Sequence, residues 1–274
     1  MLFLIKPNQQ KMQNLGFLTD FKLLGADSEI IEYADYFLVK TPSNPTFIDG
    51  NCMVLKTPEL LQHKVKLEAV FKAHFEITTQ EHHLSFKLMD SLSEDLLKNY
   101  LKDKYLYDRL AVMTYVKSNI SAPVYDENKW VIRPFLSELD WEKWAKNEIK
   151  ERPTIFSKAS FQGYLIGRME VYKQLNKQGF GNFYGVFQEE DLLSSAGLYI
   201  FDGIGRFQQV RTIEHARRQG MCNALIQSIY KSNETKIKAA VIVADEGYHA
   251  LKLYEGLGFR SKQNQYDLTK VLAH

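Results

Sequence analysis

From Tyr36 onward, short apolar runs of strand character alternate with segments of helical spacing. That alternation limits the chain to a fold in which helices cover a sheet, a mixed α/β architecture. Tyr36-Phe37-Leu38-Val39 and Cys52-Met53-Val54-Leu55 read as strands, with the turn-rich Thr41-Pro42-Ser43-Asn44-Pro45 and the hairpin signal Asp49-Gly50 between them. Thr57-Pro58-Glu59 opens a helix with proline at its first position, and Leu61, Val65, Leu67, Val70 and Phe71 follow at helical spacing. Residues 83–88 alternate as a strand, Ser91 to Tyr100 is spaced as a helix, and residues 110–116 form a strongly apolar strand.

The pattern breaks between Ser118 and Glu127, a polar stretch with Pro123 and Asp126-Glu127-Asn128, and a domain boundary is expected there, between 126 and 127. It then restarts. Val131-Ile132-Arg133-Pro134-Phe135 reads as a strand, and Ser137-Glu138-Leu139-Asp140 as a helix start with Trp141, Trp144 and Ala145 on one face. Phe161, Leu165, Met169 and Tyr172 mark a second helix, ended by Gly179 and Gly181. Strands are expected at 183–187, 196–200, near 207–212, at 237–243 and after Phe259, with helices from about Arg218 to Ser232 and from Tyr248 to Glu255.

Composition bounds the function classes. The 274 residues suffice for one large domain or two modest ones, at roughly 100–200 residues each. Lys+Arg 35 against Asp+Glu 33 gives +2, which excludes the overall basic field of a nucleic-acid binder but leaves room for a local patch. Cys52 and Cys222 are too few for a disulfide framework, and no Cys-x-x-Cys spacing suggests zinc. His82-His83 are adjacent in a strand and point to opposite faces, so they do not share an ion. The apolar Met1-Leu2-Phe3-Leu4-Ile5 run stops at Lys6-Pro7, too short for a signal-peptide core or a membrane span. A reducing, cytoplasmic protein is expected, with no metal and no nucleic-acid or membrane partner. Aromatic residues, at 13%, show no repeat and are expected in the core and in pocket walls.

Chemistry concentrates between Val210 and Asn223. A strand runs into a short loop whose Arg217-Arg218-Gln219-Gly220 opens an amphipathic helix. Free backbone N–H groups and the positive end of the helix dipole make such a start a site for phosphate oxygens. Gly220 permits close approach of a pyrophosphate, and Arg211, Arg217 and Arg218 supply local positive charge inside a nearly neutral chain.

Arg217-Arg218-Gln219-Gly220-Met221-Cys222 resembles the acetyl-CoA-binding motif of the GNAT N-acetyltransferase superfamily, Arg/Gln-x-x-Gly-x-Gly/Ala. Ala250-Leu251-Lys252-Leu253-Tyr254-Glu255-Gly256-Leu257-Gly258-Phe259 resembles that family's second signature, Ala-x-x-Leu-Tyr-Glu-x-x-Gly-Phe. The resemblance spans roughly residues 128 to 274, opening on Val131-Ile132-Arg133-Pro134. Two positions depart from it. Cys222 stands where Gly or Ala is preferred, and Gly247 where an Asn often contacts the cofactor.

The resemblance implies a mostly antiparallel mixed sheet flanked by helices and an acetyl-CoA-dependent transfer of an acetyl group to a primary amine. The amine-bearing acceptor, small molecule or peptide, attacks directly in a ternary complex. Backbone at Val210, Arg211 and Thr212 would hold the pantetheine arm, and backbone from Arg217 through Arg218, Gln219, Gly220, Met221 and Cys222 to Asn223 the pyrophosphate. Tyr254 would be the acid for the departing thiolate. For the base, Glu214 is preferred over His215, Asp202 and Glu170, and Tyr164 and Arg168 are expected to wall the acceptor site. The first half, 1–126, looks like a worn copy of the same fold without a cofactor loop, since Lys56-Thr57-Pro58-Glu59 has no glycine; an unrelated α/β domain is the other reading. A tandem arrangement follows, with 127–274 as the acetyltransferase domain. The alternative class is a non-catalytic module that keeps the acyl-CoA as a ligand, which Cys222 and Gly247 favour.

Overall fold

The computed structural model describes residues 14–75, 82–116, 125–154, 157–247 and 250–272. The opening apolar run and the expected helix start at Tyr248 lie outside them. The chain begins with α1 (Leu15–Lys22), β1 (Glu29–Glu32), β2 (Tyr36–Lys40), β3 (Cys52–Leu55), α2 (Lys64–Phe75), β4 (His82–Leu88), α3 (Glu94–Lys102) and β5 (Leu106–Val116). It continues with β6 (Val131–Pro134), α4 (Glu138–Lys150), α5 (Lys158–Lys177), β7 (Gly181–Gln188), β8 (Asp191–Phe201), β9 (Ile204–Thr212), α6 (Met221–Asn233), β10 (Ala239–Asp245), α7 (Ala250–Gly256) and β11 (Arg260–Leu272).

These strands form one sheet in the order β1-β2-β3-β4-β11-β5-β10-β9-β8-β7-β6. Its pairings are antiparallel except β3 with β4 and β9 with β10, so the expected mixed α/β fold with a mostly antiparallel sheet is what the chain adopts. The exchange at the centre matters most. β11, from the end of the chain, lies between β4 and β5, and β5, which precedes the expected 126/127 boundary, pairs with both β11 and β10. The sheet therefore runs unbroken across that boundary.

Alternation along the strands assigns the two faces. On one face α6 and α7 bury Leu225, Ile229 and Tyr254 against Met113, Leu198, Phe207 and Ile242, and α2 and α3 cover Phe86 and Leu268. On the other, α4 and α5 bury Trp144, Leu165 and Tyr172 against Phe183 and Tyr199, while α1 sets Phe17 against Phe37, Val39 and Val54. No helix among the described residues is long and apolar enough to cross a membrane.

Local chemistry explains the entry to α4. Ser137 and Asp140 form a capping box, so two otherwise orphaned N–H groups are satisfied. Asp140 also receives both Nη groups of Arg133, each at 2.8 Å, and the Leu136 N–H at 2.8 Å. This fork-to-fork pair ties β6 to α4. Asp49-Gly50 does not form a tight hairpin. Both residues sit in a 3-10 turn, Ile48–Gly50, inside a longer connection organised by Asn51, which donates to the carbonyls of Asn44 and Phe47.

Candidate functional site

β9 and β10 are parallel neighbours for only three residue pairs, ending at Arg206↔Val241. Beyond that point β10 keeps β5 as its partner and β9 keeps β8. Gln209 carries a φ of 46°, and β9 there sets two residues, Gln209 and Val210, against Ala196 alone, between Gly197↔Gln208 and Ser195↔Arg211. Such a bulge bends its strand, so β9 turns away from β10 and a wedge opens between them. On that side the outer half of β9 has no partner strand among the described residues. The expected backbone contacts at Val210, Arg211 and Thr212 fall there.

The chain leaves β9 through a 3-10 turn, Glu214–Ala216, and enters α6 at Met221 rather than at Arg218. Gly220 sets the boundary. Its φ of 83° is the left-handed conformation that glycine adopts at least cost, and an added Cβ would meet no atom within 4 Å. The reason for glycine here is thus the backbone turn, with open space in front of it. The first bond of the α6 ladder runs from the Ala224 N–H to the Gly220 carbonyl at 3.0 Å. Among the described residues nothing accepts from the backbone N–H groups of Arg218, Gln219, Gly220, Met221, Cys222 or Asn223. Six consecutive donors at the positive end of a helix, with open space ahead of their glycine, suit phosphate oxygens.

The arginines divide. Arg211 is held by Glu148 at 2.7 Å and Glu151 at 3.2 Å, and Arg217 by Glu151 at 2.7 Å. Arg217 also donates through Nε to the Thr212 carbonyl, and Glu151 accepts the Glu214 N–H at 3.0 Å. Glu151 therefore pins the loop and neutralises part of the expected positive cluster. Arg218, exposed and with a φ of 63°, is in none of these pairs. Burial pushes the Cys222 thiol up to about 12, which keeps it protonated and excludes it as a nucleophile at neutral pH.

On the opposite face of the sheet, next to the wedge, lies an open cleft. α5 contributes Tyr164, Arg168 and Tyr172, β9 contributes Gln208 and Gln209, and the first half supplies Asp20 from α1 with Phe47 and Asp49 from the connection after β2. Gln208 and Gln209 stand two and three residues past the last β9–β10 pair, so the cleft borders the strand segment that flanks the wedge. Arg168 is 4% exposed, lies between the Phe47 and Tyr172 rings at 4.4 and 4.7 Å, and donates to the Leu23 carbonyl at 3.0 Å. The Asp49 carboxylate pairs with Lys87 at 2.8 Å, which holds it below its ordinary range. Lys87 also pairs with Asp267. Burial pushes Asp267 up to about 6, and the Asp49 and Asp108 carboxylates add to that while Lys87 opposes it.

No protein-family model and no curated protein sequence matches the chain. Solved structures match by shape. A functionally unknown conserved protein from Staphylococcus epidermidis superposes with a TM-score of 0.73 at 16% identity, over 92% of this chain and 97% of its own. A GCN5-related N-acetyltransferase from Kribbella flavida gives 0.61 at 13% identity, over 94% and 96%. The fold is that of the GCN5-related N-acetyltransferases. A tandem GNAT protein from the clavulanic acid biosynthesis pathway matches at 0.55 and 9% identity, over 94% and 87%, in keeping with two GNAT-like units in one chain.

Within this GNAT fold the remaining candidates are spread out. Tyr254 lies on α7, 6% exposed, its ring edge-on to Phe259 at 6.3 Å. Glu214 opens the 3-10 turn and is exposed, as is His215 beside it. Asp202 sits in the β8–β9 turn with its side chain 80% exposed, and Glu170 on the outer side of α5 meets Lys173 at 3.4 Å. None of these four lines the cleft. The carboxylates that do, Asp20 and Asp49, come from the first half and were not singled out as bases by sequence. His83 donates from Nε2 to the Asn51 carbonyl at 2.9 Å, and among the described residues no three metal-ligating side chains gather.

Proposed function

We propose that the chain is an acetyl-CoA-dependent N-acetyltransferase in which the cosubstrate enters from the α6 side and an amine acceptor from the cleft side, meeting at the wedge between β9 and β10. The parting of β9 from β10 after Arg206 and Val241, beside a helix start with six unpaired N–H groups, carries this reading. Open parallel pairs bind ligands where neighbouring strands diverge at their carboxyl ends, and β9 offers unpaired backbone there for an extended thioester arm. Acetyl-CoA supplies the activated acetyl thioester.

The protein's own part is orientation and proton handling. Backbone N–H groups from Arg218 to Asn223 hold the phosphates, and those at Val210–Thr212 hold the arm. Tyr254 gives its phenolic proton to the departing sulfur, as the amine nitrogen forms its bond to carbonyl carbon and the carbon–sulfur bond breaks. The proton shed by the nitrogen goes to a carboxylate or to water. Glu214 keeps that role only if the acceptor reaches the end of β9; of the two carboxylates lining the cleft, Asp49 is the more exposed. Thiol release with acetyl-CoA and an amine panel tests the reading, and absence of both binding and release overturns it.

A further inference from the structure

Arg168 and Asp49 carry opposite charges into one cleft without touching. Among the described residues Arg168 forms no ion pair; it is clamped by the Phe47 and Tyr172 rings and by the Leu23 carbonyl. A guanidinium this deeply buried ordinarily has a carboxylate partner, because desolvation without one is costly. Asp49, whose charge acts on Arg168 across this cleft, is instead drawn aside by Lys87, with its side chain still 60% exposed. The scaffold thus holds a cation and an anion apart across a space open to solvent. Leu23, Leu24, Phe47 and Tyr164 give the same space an apolar wall.

We infer that the acceptor is a zwitterionic α-amino acid with an apolar side chain, its carboxylate held by Arg168 and its amino group directed by Asp49 toward the wedge between β9 and β10. This rests on the acetyltransferase reading. A planar guanidinium matches a carboxylate with two parallel hydrogen bonds, and burial between two rings fixes its orientation in advance. An amine lacking the carboxylate leaves Arg168 buried and uncompensated, so the cleft discriminates against it.

The experiment compares phenylalanine, phenylalanine amide and phenethylamine as acceptors, by acetyl-CoA-dependent thiol release. Phenylalanine is expected to exceed the other two in kcat/KM by roughly 10- to 100-fold, the usual effect of one charged hydrogen-bond pair. Arg168→Gln is expected to erase that preference while leaving the affinity for acetyl-CoA unchanged, which also reports that the variant is folded. If Arg168→Gln does not fold, the wild-type comparison stands alone, since the amide and the amine already remove the carboxylate. Equal efficiency for the three acceptors, or a preference that survives in a folded Arg168→Gln, overturns the inference. Should acetyl-CoA bind but no amine react, equilibrium titration with phenylalanine decides. Binding of phenylalanine but not of phenethylamine supports the cleft assignment and places the failure in the catalytic reading; no phenylalanine binding up to millimolar concentration overturns the assignment itself.

Discussion

Arg206, the last residue of β9 that pairs with β10, donates through Nη2 to Asp20 on α1 at 2.7 Å. Its Nη1 reaches Thr19 Oγ1 at 3.2 Å. The point where the strands part is therefore held by a helix from the other half of the chain, 186 residues away, so the two halves build the wedge and the cleft jointly.

One consequence concerns the chain cut at 126/127. The 127–274 fragment lacks β5, which supplies seven register partners to β10 and nine to β11. Alone it exposes the apolar edge of β10, and such an edge aggregates. The fragment is expected to show no cooperative thermal transition by near-ultraviolet circular dichroism, whereas the full chain shows one. A native-like melt of the fragment would mean that β5 is dispensable.

Gly220→Ala forces a side chain into the left-handed conformation at the start of α6, at a cost of about 1 kcal/mol. Because the space in front is open, the damage is expected to be backbone rearrangement rather than a clash. A lowered melting temperature together with weakened acetyl-CoA binding is the expected pair of results. Weakened stability with intact binding would detach the turn from the phosphate site.

Glu151 separates two views of the basic loop. It pins Arg211, Arg217 and the Glu214 N–H together. If loop order governs binding, Glu151→Ala weakens acetyl-CoA affinity several-fold; if free positive charge governs it, the same change tightens affinity. The geometry of three donors converging on one carboxylate predicts the weakening.

Tyr254→Phe keeps the ring against Phe259 and removes only the hydroxyl. Turnover is expected to fall about 10²-fold with acetyl-CoA affinity unchanged. Unaltered turnover in steady-state assays would remove Tyr254 as the acid and leave it a packing residue of the α7 cluster.

The Arg133–Asp140 pair gives a pH signature. Arg133 and the backbone N–H groups of Leu136 and Ser137 hold the Asp140 carboxyl down to about 2, in a side chain that is 3% exposed. A depressed folded pKa stabilises above the unfolded value, near 4, and that stability is lost as pH falls toward 2. Asp140→Asn is expected to lower stability by about 2 kcal/mol at pH 7, and the gap from the wild type in urea unfolding should narrow below pH 4. A gap independent of pH would assign the loss to shape alone.

How much of this was legible in the sequence follows from which interactions are local. The alternation of apolar runs placed β2 through β11 and α2 through α7 within a few residues, because strand pleat and helix turn write their periods directly into neighbouring side chains. α1 and β1 went unread. The start of α1 is set by Asn14, which caps Gly16 and Phe17 but is anchored through Asn264, and β1 is a four-residue edge strand bounded by glutamates. The insertion of β11 between β4 and β5 is likewise invisible, since strand order is fixed by pairing across the whole chain. The loop ahead of α6 was readable because its glycine and its helix start are contiguous. Tyr164 and Arg168 were readable as one turn of a helix, but Asp49 and Asp20 reach the cleft from elements more than a hundred residues earlier, and nothing in their local sequence marks them. The Arg211 and Arg217 charges looked free only because Glu148 lies on a separate helix, α4, and Glu151 caps its end.

Isothermal titration of the full chain with acetyl-CoA tests the central claim most directly. One-to-one binding in the micromolar range, about −8 kcal/mol, and weakened by Gly220→Ala, is the predicted result. No heat of binding up to millimolar acetyl-CoA would contradict the assignment of the wedge and the α6 start as an acyl-CoA site.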